Sequence, residues 1–374
     1  MKISLVDDTI YGYAAGDPSV AGGAERYMWL QTRALVAAGW SATLGTWTAL
    51  KPGQRETIDG VEFVGLERTH SVRAVARFLA AEKPDWCHWF GSNHLLGPAA
   101  ALGRLRGVRT VFSAQFDNDV RPMNALAGRR YLWPFYAAGL WASDRIFLQH
   151  GGQLAELPSS LQEKAFIVPG IVEVPTSSVD HRMRKPYVAW VGVLRQPKRP
   201  DLLIDIAERS PGVEFVVCGG PSSGHRSPPG YSEAIIERFG RVANIRYMGH
   251  VAPDQAIKVI SGASLLLSTS DAEGFPSVFV EAWASGTPVV TLRIDPDGVI
   301  ARQRLGAACH GVAAAADTIS HLITSVGERQ EMATRCREHV IRRHSADSAV
   351  AVVQEALNGR TRRSLRDSQL ASGR

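Results

Sequence analysis

The sequence predicts an α/β protein built from two doubly wound parallel sheets. Three observations carry this prediction. The chain has 374 residues, which is long for a single hydrophobic core. Short apolar runs alternate with helix-length segments in both halves, as they do in parallel sheets whose faces are covered by helices. A stretch rich in proline, serine and basic residues, 171–186, separates the two halves and is typical of an inter-domain linker.

The first half reads as one Rossmann-like domain over 1–170. Strands are predicted at 2–6, 42–47, 62–66, 86–90, 110–114 and 145–149, and helices at 24–38, 71–82 and 95–105. The long loop after the first strand ends in Gly22 and Gly23 at a helix start, where glycine lets a ligand approach the backbone closely. A surface loop with no ligand is the competing interpretation, since a Gly-Gly pair alone is weak evidence.

Polar side chains follow two strands of this half on the side where such sheets bind ligands. Gln115 and Asp117 follow the strand at 110–114, and His150 follows the strand at 145–149. Turn chemistry also explains Asn and Asp after a strand. For His150 a capping or structural role is favoured over that of a catalytic base.

An aromatic segment, 129–141, allows two interpretations. It combines Arg129 and Arg130 with five aromatic residues, as an interfacial membrane helix does. The same aromatic residues could pack in the core or beside an acceptor. Pro134 interrupts a regular amphipathic helix, so packing is favoured and peripheral membrane contact stays open.

The second half, 187–344, repeats the strand–helix alternation, with strands predicted at 187–194, 213–218, 244–248, 263–268 and 288–292. Its first loop carries Gly192, Arg195 and Lys198 ahead of a helix. Basic side chains at a strand end beside a helix N-terminus suit a diphosphate. The alternative, favoured for an isolated basic loop, is solvent exposure.

The stretch 263–292 organises the second half as a strand–loop–helix–strand unit. Its loop contains Glu273, and the following helix contains Glu281. Between the two acids, the backbone N–H groups of Gly274, Phe275 and Ser277 cluster at a helix N-terminus, which is an anion site. For two isolated glutamates, simple solvated acids would be the favoured interpretation.

The wider context of these acids resembles a known family. Glu273-Gly-Phe-Pro-Ser-Val-Phe-Val-Glu281-Ala, followed by Ser285-Gly-Thr-Pro-Val-Val, resembles the E-x7-E signature of family 4 glycosyltransferases. These are retaining enzymes of the GT-B fold, in which two Rossmann-like domains face a central cleft. The resemblance implies the donor-binding residues Gly22, Gly23, Gly192, Gly219, His250, Val251, Gly274, Phe275, Pro276, Ser277, Val278 and Glu281.

The resemblance also implies individual roles. Lys198, with Arg195, would neutralise the leaving diphosphate, and Glu273 would hold the hydroxyls of the transferred sugar. Glu281 would bind the ribose. The family usually has an arginine directly after the glycine, but Val193 stands there, so Arg195 is out of register.

Two further features of the family bear on the first half and on the C-terminus. Many relatives carry a histidine near the end of the strand at 110–114, whereas this chain has Ser113-Ala-Gln-Phe-Asp117. Gln115, Asp117 and His150 are therefore the candidates for the acceptor and sugar side. The resemblance also predicts that a last helix, 345–358, crosses back to the first domain.

Composition excludes several other classes of protein. The formal net charge is +6, but 359–374 contains five arginines and one aspartate, so most of the charge lies in this basic tail. The tail is predicted to be disordered, and a nucleic-acid partner is not expected. The four cysteines are scattered and form no C-x-x-C pair, and the first residues do not resemble a signal peptide. Both observations favour a cytoplasmic location. Association with the inner face of the membrane is left open. By the resemblance, basic side chains and a helix N-terminus would neutralise the diphosphate, so neither a metal nor a separate cofactor is predicted.

The sequence thus predicts a metal-independent transferase for a hexosyl or related sugar. The donor would be a nucleotide-diphosphate sugar, and the acceptor a saccharide or a lipid-linked molecule in cell-surface polysaccharide or glycolipid synthesis. Two alternatives stay open: a catalytically silent GT-B partner subunit, and a nucleotide-sugar epimerase of similar fold. The sugar, the base, the acceptor and the oligomeric state are left undetermined.

Overall fold

Two compact units make up the computed structural model, which describes residues 1–17, 20, 22–67, 71–126, 129–176, 180–221 and 227–359. Of the described residues, the first unit contains those of Met1–Ile171 and those from Ala346 to Gly359, and the second contains those of Val172–Ser345. The basic tail expected at 359–374 lies outside the described residues from Arg360 onward.

The first unit contains an eight-stranded sheet. Its strands are β1 Lys2–Val6, β2 Ser41–Thr46, β3 Arg55–Ile58, β4 Val61–Gly65, β5 Trp86–Phe90, β6 Arg109–Ser113, β7 Arg145–Leu148 and β8 Ala165–Ile167. They lie in the order β3-β4-β2-β1-β5-β6-β7-β8. All neighbours are parallel except β3 and β4, which form an antiparallel hairpin. Asp59 and Gly60 close this hairpin, both with positive φ (47° and 79°), as a tight two-residue turn requires.

Helices cover both faces of this sheet. They are α1 Thr9–Ala14, α2 Gly23–Ala37, α3 Val72–Glu82, α4 Leu96–Arg104, α5 Pro122–Ala125, α6 Trp133–Ala142, α7 Gly151–Glu156 and α8 Ser159–Gln162. One buried cluster, which includes Leu44 and Phe63, packs under α2. The other, which includes Phe78, Phe112 and Tyr136, packs under α3, α4 and α6. The predicted sheet is therefore present, although β3 and β8 were not predicted.

The second unit contains a six-stranded, fully parallel sheet. Its strands are β9 Lys185–Val191, β10 Glu214–Cys218, β11 Ile245–Tyr247, β12 Ala263–Ser268, β13 Val289–Thr291 and β14 Gly306–Ala308. Its helices are α9 Pro200–Arg209, α10 Tyr231–Phe239, α11 Pro253–Gly262, α12 Ser277–Ala284, α13 Val299–Gln303, α14 Val312–Thr324 and α15 Val326–Arg343. The order β11-β10-β9-β12-β13-β14 reverses between β9 and β12, as in doubly wound sheets that bind nucleotides at the reversal point. The predicted α/β class with two Rossmann-like sheets is confirmed.

The last helix, α16 (Ala346–Leu357), belongs to the first unit. Its buried residues Ala349, Val353 and Leu357 join the core cluster that packs under α2. Arg145 at the start of β7 donates from Nε to the carbonyl oxygen of Ala356 at 2.8 Å. The chain thus returns to the N-terminal unit for its last described helix.

The segment predicted as a linker, 171–186, does not run freely between domains where it is described. Arg184 is buried, and its Nη1 donates to the carbonyl oxygen of Ala263 at 2.8 Å, while the guanidinium also bonds Thr287 and Ser285. His181 is buried and bonds the carbonyl oxygen of Gly286. Within the second unit, the arginine of this basic run therefore supplies hydrogen bonds to buried backbone and hydroxyl oxygens at strand and helix ends. Burial lowers the pKa of Arg184 to about 10.

The aromatic segment also differs from the favoured interpretation. Tyr136 is fully buried, but Tyr131, Trp133, Phe135 and Trp141 are exposed. Core packing is therefore wrong for four of these five aromatic residues. Within the described ranges, no helix combines the length and apolarity needed to cross a membrane.

Candidate active site

The carboxyl ends of β9 and β12 meet at the reversal point of the second sheet, and the loops that follow them carry Lys198 and Glu273. Neighbouring parallel strands bring these loops together although 75 residues separate the two side chains. In open α/β sheets, ligands bind outside the carboxyl ends of the strands at such a point. The topology therefore selects these two loops as the candidate site.

Hydrogen bonds between the two loops hold them in register. Trp190 on β9 donates from Nε1 to the Thr269 hydroxyl at 3.0 Å, and that hydroxyl donates to the carbonyl oxygen of Lys198 at 2.7 Å. The amide of Asp271 donates to the carbonyl oxygen of Pro197 at 2.9 Å. Because Thr269 is fully buried, this connection is shielded from water. Thr269 was not among the predicted site residues, and only its place directly after an apolar strand could have indicated it.

Lys198 and Glu273 form an ion pair between Nζ and Oε1. Their side chains are 17% and 10% exposed, so solvent screens the pair less than it screens a surface pair. An ammonium group has three donors, and a carboxylate has two acceptor oxygens. After pairing, Lys198 keeps donors for an anion, and Glu273 keeps an oxygen for a hydroxyl donor. The arrangement can bind an anionic group and a polyol side by side.

The other basic residues of this loop lie in different surroundings. Arg195 caps a 3-10 turn, Gln196–Lys198, through its carbonyl oxygen, which accepts from the amide of Lys198 at 2.9 Å. Arg199 forms ion pairs with Asp201 and Asp271, which hold its pKa above the usual value. The structure thus brings Lys198 together with Glu273.

Helix α12 begins at Ser277 directly after this loop, with Pro276 as its N-cap. Phe279, Val280 and Trp283 anchor the helix in the core, whereas Ser277, Val278 and Glu281 are only half-buried and share its other face. The first turn of a helix leaves amides without intrahelical partners and carries a partial positive charge. Gly274, Phe275 and Pro276 connect Glu273 to this first turn; Gly274 and Pro276 are buried and Phe275 is half-buried. The anion site predicted here is therefore adjacent to Glu273 in the chain.

The predicted glycines of the second unit lie at one closely packed strand end. A Cβ placed on Gly219 would lie 1.9 Å from the carbonyl oxygen of Gly192, and one placed on Gly192 would lie 3.7 Å from Cδ of Lys198. The amide of Gly219 also donates to the carbonyl oxygen of Gly249 at 2.8 Å. His250 follows Gly249, and its Cβ lies 3.1 Å from a Cβ placed on Gly220. Val251 packs partly on the adjacent core cluster. Backbone therefore approaches backbone here, which only glycine allows.

In the first unit, Gly22 and Gly23 form the start of α2, with Gly22 as N-cap. The carboxylate of Glu25 folds back over Gly22, with Oε2 at 1.8 Å from where a Cβ would lie. A glutamate at the third helical position that reaches back to the N-cap is a known helix-start arrangement. Because Gly22 has no side chain, the carboxylate of Glu25 has room beside it.

The ends of β6 and β7 bring Asp117 and His150 together. Nε2 of His150 donates to Oδ1 of Asp117 at 2.8 Å, and Nε2 of Gln153 donates to the same oxygen at 3.1 Å. Burial by itself would raise the pKa of Asp117, but these hydrogen bonds and the charge of Arg121 outweigh burial, and the pKa lies below its usual value. The carboxylate therefore stays ionised near neutral pH and fixes the imidazole with its proton on Nε2. Gln153 was not predicted, and the sequence carries no signal for it.

Gln115 lies next to this group. Its amide N–H donates to Oδ2 of the buried Asp119 at 2.8 Å, so Asp119 shapes the turn. The side-chain Nε2 of Gln115 is buried without a hydrogen-bond partner among the described residues. A buried amide donor at the carboxyl end of a strand needs an explanation, and a ligand hydroxyl would supply one. Across the described ranges, no group of three or more His, Cys, Asp or Glu side chains could hold a metal ion.

Comparisons with known proteins agree with this division. Residues 176–343 match the family described as glycosyl transferases group 1, and residues 22–162 match the glycosyl transferase 4-like domain. The D-inositol 3-phosphate glycosyltransferase of Mycolicibacterium smegmatis is 28% identical over 193 residues, which is 50% of this chain and 44% of the relative. That of Mycobacterium tuberculosis is 31% identical over 192 residues, 50% and 38% of the two chains. The alignments thus span less than half the length of these relatives.

Solved structures share the fold at low sequence identity. Sucrose-phosphate synthase from Thermosynechococcus elongatus superposes with a TM-score of 0.70 at 17% identity, over 100% of both chains. Anabaena HepE in complex with UDP superposes with a TM-score of 0.70 at 16% identity, over 96% of this chain and 100% of that one. At these identities the likeness establishes the fold alone.

Two Rossmann-like units, each matched by a glycosyl transferase family, define the GT-B fold. The chain belongs to the family 4 type of GT-B glycosyltransferases, with a group 1 domain in its second half and a 4-like domain in its first.

Proposed function

We propose that this protein transfers a glycosyl group from a nucleotide-diphosphate sugar to a saccharide or lipid-linked acceptor, with retention of anomeric configuration. The observation that carries the proposal is the Lys198–Glu273 pair beside the N-terminus of α12. The cation and the helix N-terminus suit the diphosphate of such a donor, which gains charge as it leaves. The carboxylate suits the hydroxyls of the sugar.

The leaving diphosphate gains negative charge in the transition state. Lys198 and the amides of the loop 274–277 would stabilise that charge more than they stabilise the bound donor, and this difference accelerates the reaction. Glu273 would accept hydrogen bonds from the sugar and orient it, rather than act as a nucleophile. Arg195 is a weaker candidate for the diphosphate, because its position after Val193 is out of register with the family pattern.

The rest of the donor would lie along the same strand ends. Glu281, one turn into α12 on its half-buried face, would bind the ribose hydroxyls. The backbone at Gly219, His250 and Val251 would bind the base. Because Gly192 packs tightly against Gly219, backbone groups rather than side chains would recognise the base there. Gly22 and Gly23, which the family resemblance marks as donor-binding residues, would bind through backbone amides.

The first unit would supply contacts to the acceptor and the transferred sugar. Asp117 fixes the His150 imidazole, and Gln115 presents a buried amide donor without a partner in the described structure. Together they suit hydroxyl groups, which both donate and accept hydrogen bonds. We assign His150 a binding role toward the acceptor.

His150→Gln is expected to lower transfer to the acceptor by about 10- to 100-fold, the cost of one lost hydrogen bond to a charged or strongly polarised group. Donor hydrolysis in the absence of acceptor should change much less. Steady-state transfer and hydrolysis rates, measured on the same preparations, check this. His321→Gln is the matched control, because His321 also bonds an acid, Glu328 at 2.9 Å, but is exposed and belongs to the second unit. Transfer within twofold of wild type would remove His150 from the acceptor site.

The nucleotide is the part of the donor that can be identified most directly. A thermal-shift screen of UDP, GDP, ADP and TDP should show one nucleotide that raises the melting temperature, because a ligand that binds only the folded state stabilises it. UDP is the first candidate, since the HepE structure contains it. The matching nucleotide sugar should then be hydrolysed slowly by the protein alone. No stabilisation by any nucleotide, and no hydrolysis of any donor, would refute the proposed function.

Two other functions make different predictions in the same assays. A catalytically silent GT-B subunit would show neither hydrolysis nor transfer, although Lys198, Glu273 and Glu281 are all present. An epimerase would convert the donor to an isomer in the absence of acceptor, which chromatography and mass spectrometry of the recovered donor would detect.

For the biological role, we propose cell-surface polysaccharide or glycolipid synthesis in the cytoplasm, without a metal or additional cofactor. The inositol phosphate glycosyltransferases among the relatives favour a small polyol phosphate as the first acceptor to test.

A further inference from the structure

One region of the first unit collects exposed large apolar side chains. Around α6 and the preceding turns, five such residues are 40–75% exposed: Met123, Tyr131, Trp133, Phe135 and Trp141. We call these five residues the aromatic face. Leu105, 82% exposed, follows α4, whose last residue Arg104 donates from Nη2 to the carbonyl oxygen of Ala142 at the end of α6. Large exposed apolar side chains concentrated in one region of a protein are typical of interaction sites.

The aromatic face is held rigidly, so its exposure does not come from a loosely packed helix. Tyr136 is buried and donates from its hydroxyl to the carbonyl oxygen of Asp119 at 2.6 Å. Gly139 and Gly97 let α6 and α4 approach so closely that a Cβ on Gly139 would lie 2.6 Å from the amide nitrogen of Gly97. Nζ of Lys164 donates to three carbonyl oxygens at the C-terminal end of α6, those of Leu140, Trp141 and Ser143, at 3.1, 2.7 and 2.6 Å.

The charged residues of the segments that form the face are all basic. The segments 96–107 and 121–142 contain five arginines and no acidic residue: Arg104, Arg106, Arg121, Arg129 and Arg130. Acids reach them only from neighbouring elements, as Asp144 pairs with Arg104 and Glu156 pairs with Arg121. Residues 133–142 carry no charged side chain at all. An apolar, tryptophan-rich face with arginines at its edges is complementary to an anionic bilayer surface, where aromatic rings lie at headgroup level.

We propose that this face binds the surface of an anionic lipid bilayer. Trp133, Phe135 and Trp141 enter the headgroup region, and Arg104, Arg106 and Arg129 contact lipid phosphates. A second copy of this chain is a poorer occupant, because a two-fold interface would bring two copies of the same basic segments together. The proposal is independent of the transfer chemistry and stands on the exposed side chains alone.

The test is co-sedimentation of the full chain with vesicles. Wild type should bind vesicles of 30% phosphatidylglycerol in phosphatidylcholine, should bind pure phosphatidylcholine at least about fivefold more weakly, and should lose binding as salt is raised. The double variant Phe135→Ser/Trp141→Ser should bind anionic vesicles at least about tenfold more weakly, because it removes two apolar side chains from the interface. Arg106→Gln/Arg129→Gln should weaken binding by a similar factor and reduce its salt dependence.

The matched control is Met183→Ser/Ile341→Ser, which removes two apolar side chains of comparable exposure (80% and 52%) from the other unit. This variant should bind vesicles as wild type does. Thermal unfolding of each variant verifies that it folds, which is expected since every substituted side chain is exposed. The proposal is overturned if wild type does not bind anionic vesicles or if the aromatic and control variants bind equally. It is also overturned if the aromatic variant changes only the oligomeric state, because the face would then join two copies.

Discussion

Lys198→Ala is expected to lower the turnover of the nucleotide sugar at least about 100-fold, the usual cost of losing one preorganised group that stabilises developing charge. Lys198 lies at the point where the second sheet reverses its strand order, and its side chain is only 17% exposed. In such surroundings a cation interacts more strongly with a phosphate than it does in water. The expected loss is in kcat, because the charge on the leaving diphosphate is greatest in the transition state.

Glu273→Ala is expected to lower turnover by a similar factor for a different reason, the loss of an acceptor that orients the sugar. Since the two side chains form an ion pair, the double variant should lose less than the product of the single losses. Arg238→Ala is the control, because Arg238 forms an exposed ion pair with Asp205 in the same unit and should leave turnover within twofold. If either single variant folds and keeps near-normal turnover, the role assigned to that residue is wrong.

Gly219→Ala is expected to disrupt the donor site through the backbone. The added Cβ would lie 1.9 Å from the carbonyl oxygen of Gly192, and neither group is a flexible side chain that can turn away. The ends of β9 and β10 must therefore separate, at a cost of roughly 1–3 kcal/mol typical of overpacking. Because Gly192 leads into the loop of Lys198, we expect nucleotide binding to fall together with the melting temperature. Thermal unfolding with and without the stabilising nucleotide measures both effects.

Gly212→Ala is the matched control for this substitution. No atom lies within 4 Å of a Cβ placed there, and its φ is outside the left-handed region, so alanine fits without strain. The melting temperature should stay the same or rise slightly, since alanine restricts the unfolded chain. Equal stability and equal nucleotide affinity for Gly219→Ala and Gly212→Ala would show that the close approach of β9 and β10 is not required.

Two interpretations of the sequence differ from the structure for the same physical reason. The basic run 182–185 was predicted to be part of a linker because composition does not reveal that Arg184 is buried against strand ends. The aromatic residues of 129–141 were expected to pack in the core or beside an acceptor, yet only Tyr136 of the five is buried. In both cases burial depends on which neighbours tertiary packing supplies. A local pattern of residue types does not contain that information.

The sequence alone determined the alternation of strands and helices, the two sheets and the loop that carries Glu273, because hydrophobic periodicity and glycine positions act over short range. Tertiary structure alone decided which distant residues meet. The pairing of Lys198 with Glu273 follows from β9 lying beside β12, and that of His150 with Asp117 from β7 lying beside β6. Strand order sets these contacts, and it results from the packing of whole elements, which no single stretch of sequence specifies.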